Sequence, residues 1–244
     1  MKDDGFEERN KLHIAGMRND EALKRLTQEW FIQASRNEYS YHFSWMGRPV
    51  IQFPQDIVAM QEIIWRCQPD CIVETGIARG GSLILYASML ELLGGNRSVL
   101  GIDVDIRAHN RVEIEKHPMF KRIRMIQGSS IDEGVSRQVY EQVAGRKQVM
   151  VVLDSNHTAD HVSKEIKLYA PLVTKGSYLV VFDTIVEYLP KELCADRPWG
   201  PGNSPLTAVR EFLKSTDRFV VDQEMENKLQ ITVAPGGYLR CVKD

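Results

Sequence analysis

The chain has 244 residues, with 31 Lys and Arg against 33 Asp and Glu, for a formal net charge of −2 at pH 7. That near balance excludes the basic footprint of a nucleic-acid binder, and no polybasic run marks a membrane-surface protein. The length suits one large α/β domain with a short appendage, no stretch has the length of a membrane span, and Met1–Arg18 lacks the apolar core of a secretory signal, so a cytoplasmic protein acting on a small molecule is expected.

Taken in chain order, Leu23, Leu26, Trp30, Phe31 and Ala34 fall at helical spacing and predict an amphipathic helix over residues 20–35. The aromatic stretch Tyr39, Tyr41, His42, Phe43 and Trp45, followed by Gly47 and Pro49, reads as a lid or subunit contact that buries rings, or as an aromatic wall for a substrate. Residues 1–50 thus form an N-terminal helical and aromatic extension, and its apolar faces predict a homo-oligomer. The main domain occupies residues 51–244. Residues 54–67 predict a helix that presents Ile57, Met60, Ile63 and Ile64, and it leads into an apolar strand, Cys71–Glu74.

That strand stops at Glu74 and turns through Thr75, Gly76, Gly80 and Gly81 into a helix over 81–93, which Gly94-Gly95 ends. Strands are predicted at 99–103, 123–127, 149–153 and 178–182, with helices near 135–143 and 160–169 between them. The 149–153 run is apolar throughout, as a parallel strand buried on both faces should be. This alternation predicts a doubly wound, mostly parallel α/β sheet. A Pro- and Gly-rich loop follows over 192–205, then a helix over 207–213, a terminal hairpin from 219–221 and 229–233, and an edge strand over 238–242. The four cysteines, Cys67, Cys71, Cys194 and Cys241, form no Cys-x-x-Cys pair and read as reduced apolar fillers.

The chemistry gathers at the carboxyl ends of the strands, where ligands bind in open α/β sheets. The turn is acid-x-Gly-x-x-x-Gly, not Gly-x-Gly-x-x-Gly, and Glu74 favours a cationic ligand over a pyrophosphate. S-adenosylmethionine carries a sulfonium and an amino group, and the turn from Glu74 to Ser82 is similar to the first motif of class I methyltransferases. Asp103 stands where an acid accepts both ribose hydroxyls, with Asp105 as competitor. Ser129 and Ser130 sit where hydroxyls can meet an adenine edge, or are simple turn residues.

Asp154 and Asp183 each end an apolar strand, and the two strands should be neighbours. Their carboxylates should converge and need a proton, a basic partner or a cation between them, and Mg²⁺ suits such a pair. The other reading makes each a helix cap. His157, three residues beyond Asp154, is positioned to take a proton from an acceptor hydroxyl. His161 offers a second imidazole for zinc, without an obvious third soft ligand.

With these residues assembled, the chain resembles the cephalosporin hydroxylase and rhamnosyl O-methyltransferase family, a metal-dependent branch of the class I methyltransferases. The resemblance runs from about Trp45 to Val242. It rests on Val73-Glu74-Thr75-Gly76 through Gly81-Ser82, Gly101-Ile102-Asp103, Leu153-Asp154-Ser155-Asn156-His157-Thr158, Arg197-Pro198-Trp199-Gly200-Pro201-Gly202-Asn203, and Val233-Ala234-Pro235-Gly236-Gly237-Tyr238-Leu239. More distantly the arrangement is similar to catechol O-methyltransferase.

The resemblance implies a seven-stranded Rossmann-like sheet and S-adenosylmethionine held by the turn of Glu74, Thr75, Gly76, Gly80, Gly81 and Ser82 and by Asp103; Ser129 and Ser130, from their position, and Asp154 are the further expected cofactor contacts. It also implies Mg²⁺ at Asp154 and Asp183, and His157 as general base. Phe182 stands where sugar-methylating relatives commonly place a Glu, so either Thr184 and water complete the metal shell or metal binding is weakened or absent. The expected activity is S-adenosylmethionine-dependent O-methylation of a sugar or glycosylated natural product, as in antibiotic-type or polysaccharide biosynthesis, with the Trp199 loop closing over the substrate or serving as a packed turn. Two rivals remain: a non-catalytic S-adenosylmethionine-binding assembly subunit, and a nicotinamide-dependent oxidoreductase.

Overall fold

The computed structural model describes residues 5–244. Two helices come first, α1 (Phe6–Met17) and α2 (Glu21–Ser35). A 3-10 turn at Tyr39–His42 then leads into a hairpin, β1 (Phe43–Trp45) and β2 (Arg48–Val50). Met46 and Gly47 both take positive φ at its tip, the backbone that a tight two-residue hairpin requires. The aromatic stretch is packed within its own chain. Tyr39 meets Trp30, Phe43 and Phe53 edge-on at centroid distances of 5.0–5.5 Å, and the Trp45 indole donates to Ser88 Oγ at 3.0 Å.

The main domain follows as α3 (Pro54–Cys67), β3 (Cys71–Thr75), α4 (Gly81–Leu93), β4 (Ser98–Asp103), α5 (Ala108–Lys116), β5 (Ile123–Gln127), α6 (Glu133–Val143), β6 (Val149–Leu153), α7 (Ala159–Tyr169), β7 (Tyr178–Val181), α8 (Pro205–Lys214), β8 (Phe219–Val221), α9 (Gln223–Leu229) and β9 (Tyr238–Cys241). Seven strands form one sheet in the order β5-β4-β3-β6-β7-β9-β8. The first five pair in parallel, and β9 runs antiparallel to both its neighbours.

Alternation within the strands makes two cores. Ile72, Met150, Val152 and Val180 face α3 and α4. Val73, Val151, Leu153 and Val181 face α6, α7 and α8. The central strands are therefore apolar on both sides, and their polar ends are left at the carboxyl edge.

The C-terminal expectation is corrected. Residues 229–233 form no strand, and 238–242 is no edge: β9 lies inside the sheet and β8 takes the edge. The reason is local. The Asp222 carboxylate accepts from the Met225 backbone N–H at 3.1 Å and caps α9, whose Met225 is buried. Helices α1 and α5 had no legible signal, because Ile14 is the buried residue of α1 and Asn110 and Ile114 those of α5. Among the described residues, no helix is long and apolar enough to cross a membrane.

Candidate active site

Strand β3 delivers Glu74 and Thr75 to the carboxyl edge, and the chain turns through Gly76–Gly80 into α4. A side chain at Gly76 would collide with the Asp154 backbone carbonyl, and one at Gly81 with that of Pro49. These glycines therefore let protein segments close on the turn, whereas the bare sequence suggests only room for a ligand. Arg48 fastens the hairpin there. Its guanidinium donates to the Arg79 carbonyl at 2.6 and 3.0 Å and to Asn110 Oδ1 at 3.1 Å, while Asn110 Nδ2 donates to the Ala78 carbonyl at 3.0 Å.

Asp103, at the end of β4, also shapes the turn. Its Oδ2 accepts from the backbone N–H groups of Ile77 (2.8 Å) and Ala78 (3.1 Å), and its Oδ1 from that of Asp105 (3.0 Å). Glu74 is fully buried. Its Oε2 accepts from Ser82 Oγ at 2.9 Å, and its Oε1 has no partner. Burial pushes its carboxyl up to about 8, against the Ser82 hydrogen bond and the nearby Tyr86 hydroxyl and with help from the charge of Asp103. With no cation beside it, Glu74 is thus mostly protonated at neutral pH.

Strands β6 and β7 are parallel neighbours, as expected, and they bring their terminal acids together. One ligand atom each from Asp154, His157 and Asp183 lies within 4.8 Å of the others. His157 Nε2 is 3.2 Å from Asp183 Oδ2. Asp183 takes a left-handed backbone, φ 54°, a conformation strained for a residue with a side chain. Burial, then the charges of Asp183, Glu74, Glu165 and Asp56, push the Asp154 carboxyl well above the usual range. A divalent cation would relieve that repulsion, so the donor set fits Mg²⁺.

Three expected residues have other partners in this structure. Thr184 is buried and its hydroxyl donates to the Pro235 carbonyl at 2.7 Å, so His157 is the third group that meets the two aspartates. Ser130 is buried with its hydroxyl 3.1 Å from His161 Nε2, and the Ser129 backbone carbonyl accepts from the Asp132 backbone N–H at 3.0 Å. His161 faces Ser130, Ser155 and the buried Glu165 and is not among the residues that could hold an ion with Asp154.

Three chambers meet here. One of about 230 Å³ is lined by Gln52, Gly76, Ser82, Asp154, His157 and Asp183. A second, of about 350 Å³, holds Asp103, Asp105, Arg107 and Asn110, and shares Tyr41, Ile51, Ala78 and Arg79 with the first. The third, of about 470 Å³, is lined by Tyr39, Ile185, Leu189 and Trp199, and shares Tyr41, Ile51, Ser155, His157 and Asp183 with the first. Tyr41 came from the aromatic stretch; Ile51 and Gln52 carried no motif that could have found them.

The loop bearing Trp199 is tied down on both sides. Glu187 Oε2 accepts from the Gly202 backbone N–H (3.1 Å) and the Ser204 (2.5 Å) and Thr207 (3.1 Å) hydroxyls. Asn203 Oδ1 accepts from the Ala159 N–H at the start of α7 (3.0 Å), and its Nδ2 donates to the Pro198 carbonyl (2.9 Å). Trp199 then meets His157 edge-on at 5.5 Å. In this structure the loop is packed as a wall beside the imidazole.

A family model described as Rhamnosyl O-methyltransferase/CmcI matches residues 37–242. The Rhamnosyl O-methyltransferase of Mycobacterium tuberculosis (strain ATCC 25618 / H37Rv) is 30% identical over 201 residues, covering 80% of this chain and 77% of the relative. That of Mycobacterium leprae (strain TN) is 27% identical over 199 residues, covering 80% and 82%. Among solved structures, CmcI with Mg and SAM aligns with a TM-score of 0.57 at 21% identity, covering 83% of this chain and 78% of that one. An O-methyltransferase from Bacillus cereus in complex with SAH aligns with a TM-score of 0.52 at 16% identity, covering 89% and 90%. The sheet is the one these methyltransferases share.

Proposed function

Because the chain belongs to the rhamnosyl O-methyltransferase/CmcI family, we propose that its three chambers transfer a methyl group from S-adenosylmethionine to a hydroxyl of a sugar or glycoside, with Mg²⁺ at the junction. The observation that carries the reading is that His157 and Asp183 line both the chamber at the glycine turn and the aromatic chamber beside it. A group held in one is thereby presented to an acceptor held in the other.

When bound, the cofactor supplies a methyl group activated by its sulfonium, and the ion supplies positive charge for the acceptor oxygens. The chain's own residues do the rest. Glu74, Thr75, Gly76, Gly80, Gly81 and Ser82 form the cradle, and Asp103 faces the ribose chamber with both carboxylate oxygens already fixed by backbone donors. Asp154 and Asp183 hold the ion. With Nε2–H donating to Asp183, the His157 Nδ1 lone pair is left to take the acceptor's proton, and Trp199 limits rotation of the ring. Tyr39, Tyr41 and Trp199 offer ring faces to a sugar acceptor.

A homo-oligomer belongs to the same proposal. It is supported by exposed Leu12 and Leu26 on the first helices and by exposed Val58 and Trp65 on α3, and sedimentation would read it directly. The function is tested by calorimetric titration of the full chain with S-adenosylhomocysteine, with and without Mg²⁺, and with NADH as a third arm. Nucleoside binding coupled to saturable Mg²⁺ uptake is expected. Nucleoside binding without metal uptake favours the assembly-subunit reading, and NADH binding alone would favour the oxidoreductase.

A further inference from the structure

Behind the glycine turn, four polar atoms are shut off from water without a hydrogen-bond partner: Nε2 and Oε1 of Gln52, Oε1 of Glu74 and the hydroxyl of Tyr86. Gln52 is 1% exposed, and Glu74 and Tyr86 are 0% exposed. They are neighbours, since Tyr86 lies close enough to both Glu74 and Gln52 for each to perturb its ionisation. Even so, no pairing among them reaches hydrogen-bond geometry. An unsatisfied buried group costs about 1–3 kcal/mol, and native proteins keep few of them.

Their location explains why they are kept. Gln52 lines the chamber of Gly76, Ser82 and Asp154, and Ser82, which lines it too, donates to Glu74. A carboxamide presents a donor and an acceptor together without adding charge. In a wall that already holds the acid Asp154, with Glu74 buried behind Ser82, it complements a ligand group carrying a carboxylate beside an ammonium.

We infer that Gln52 reads the amino-acid head of the cofactor. Its Nε2 donates to the α-carboxylate, its Oε1 accepts from the α-ammonium together with Glu74 Oε1, and Tyr86 holds the amide in place. This rests on the reading of the chamber as the cofactor's.

The test compares two nucleosides by calorimetry on the full chain: S-adenosylhomocysteine, which has the head, and methylthioadenosine, which keeps the adenosine and the sulfur but lacks it. Replacing Gln52→Leu removes two hydrogen bonds to charged groups. S-adenosylhomocysteine affinity should therefore fall about a hundred-fold or more, and methylthioadenosine affinity should stay within about twofold of wild type.

Equal losses for both nucleosides, or no loss for either, would overturn the assignment. If the leucine variant does not fold, Gln52→Met gives the same comparison with a more pliable side chain. A wild-type chain that binds neither nucleoside would refute the cofactor reading itself, and one that binds both equally would refute only the head-reading role.

Discussion

Replacing Glu74→Gln should make the protein more stable at alkaline pH while weakening its hold on the cofactor. The Glu74 carboxyl is raised from 4.5 to about 8, chiefly by burial. The folded state thus binds this proton more tightly than the unfolded chain does, so its contribution to stability is complete below pH 4.5 and is lost as pH rises through about 8. Each pH unit inside that window costs about 1.4 kcal/mol. From about pH 5.5 to pH 8 the loss comes to about 3 kcal/mol, allowing for the half-ionised end. For a chain of this length that is about 6–12 °C of melting temperature. Glutamine keeps an acceptor for Ser82 and has no titration. Melting curves of both proteins across this range should therefore diverge, with the wild type losing that much relative to the variant. Parallel curves would show that Glu74 is not desolvated as its burial implies.

His157→Ala should lower turnover about 10²- to 10⁴-fold, the usual scale for a general base, with S-adenosylhomocysteine affinity unchanged by calorimetry. Asp154→Asn should abolish saturable Mg²⁺ uptake in the same instrument, because one of two converging carboxylates is gone. Gly81→Ala should destabilise the chain by about 1–3 kcal/mol or more in urea melts, since its methyl meets the Pro49 carbonyl and the hairpin must move. Asp56→Ala should cost about 3 kcal/mol or more, with little effect on nucleoside binding, because it strands the Thr232 hydroxyl, the Val233 N–H and the Tyr238 hydroxyl inside the core.

The parallel half of the fold was legible because its signals are local and repeated: apolar runs ending in Glu74, Asp103, Asp154 and Asp183, each followed by a turn. Helix α3, Pro54–Cys67, and strand β6, Val149–Leu153, fall where periodicity put them. The antiparallel end was not legible. Short strands such as Phe219–Val221 carry too few residues for a period, and the insertion of β9 between β7 and β8 depends on long-range pairing. In the site, the convergence of Asp154 and Asp183 followed from strand adjacency alone. The commitment of Thr184 to Pro235 and of Ser130 to His161 depends on contacts 51 and 31 residues away, which no spacing rule reaches. Gln52 was missed because a lone glutamine acquires meaning only once it is buried without partners.

That last point separates two kinds of buried acid in this molecule. Asp56 and Glu74 are both fully buried and both raised, Asp56 to about 6. Asp56 accepts from Val233 at 2.9 Å, from Tyr238 at 2.7 Å and from the Thr232 hydroxyl. Its lone pairs are used within the chain, so it ties the start of α3 to the segment that leads into β9. Glu74 has one oxygen on Ser82 and the other facing nothing, beside Gln52 and Tyr86 in the same condition. Burial alone does not mark a functional carboxylate, because a fold can employ one as a fully bonded post. What distinguishes Glu74 is an unpartnered acceptor beside other unpartnered polar groups behind a chamber, where a ligand can offset the cost. That difference is what assigns Glu74 to the proposed site and Asp56 to the scaffold, although both load the field at Asp154.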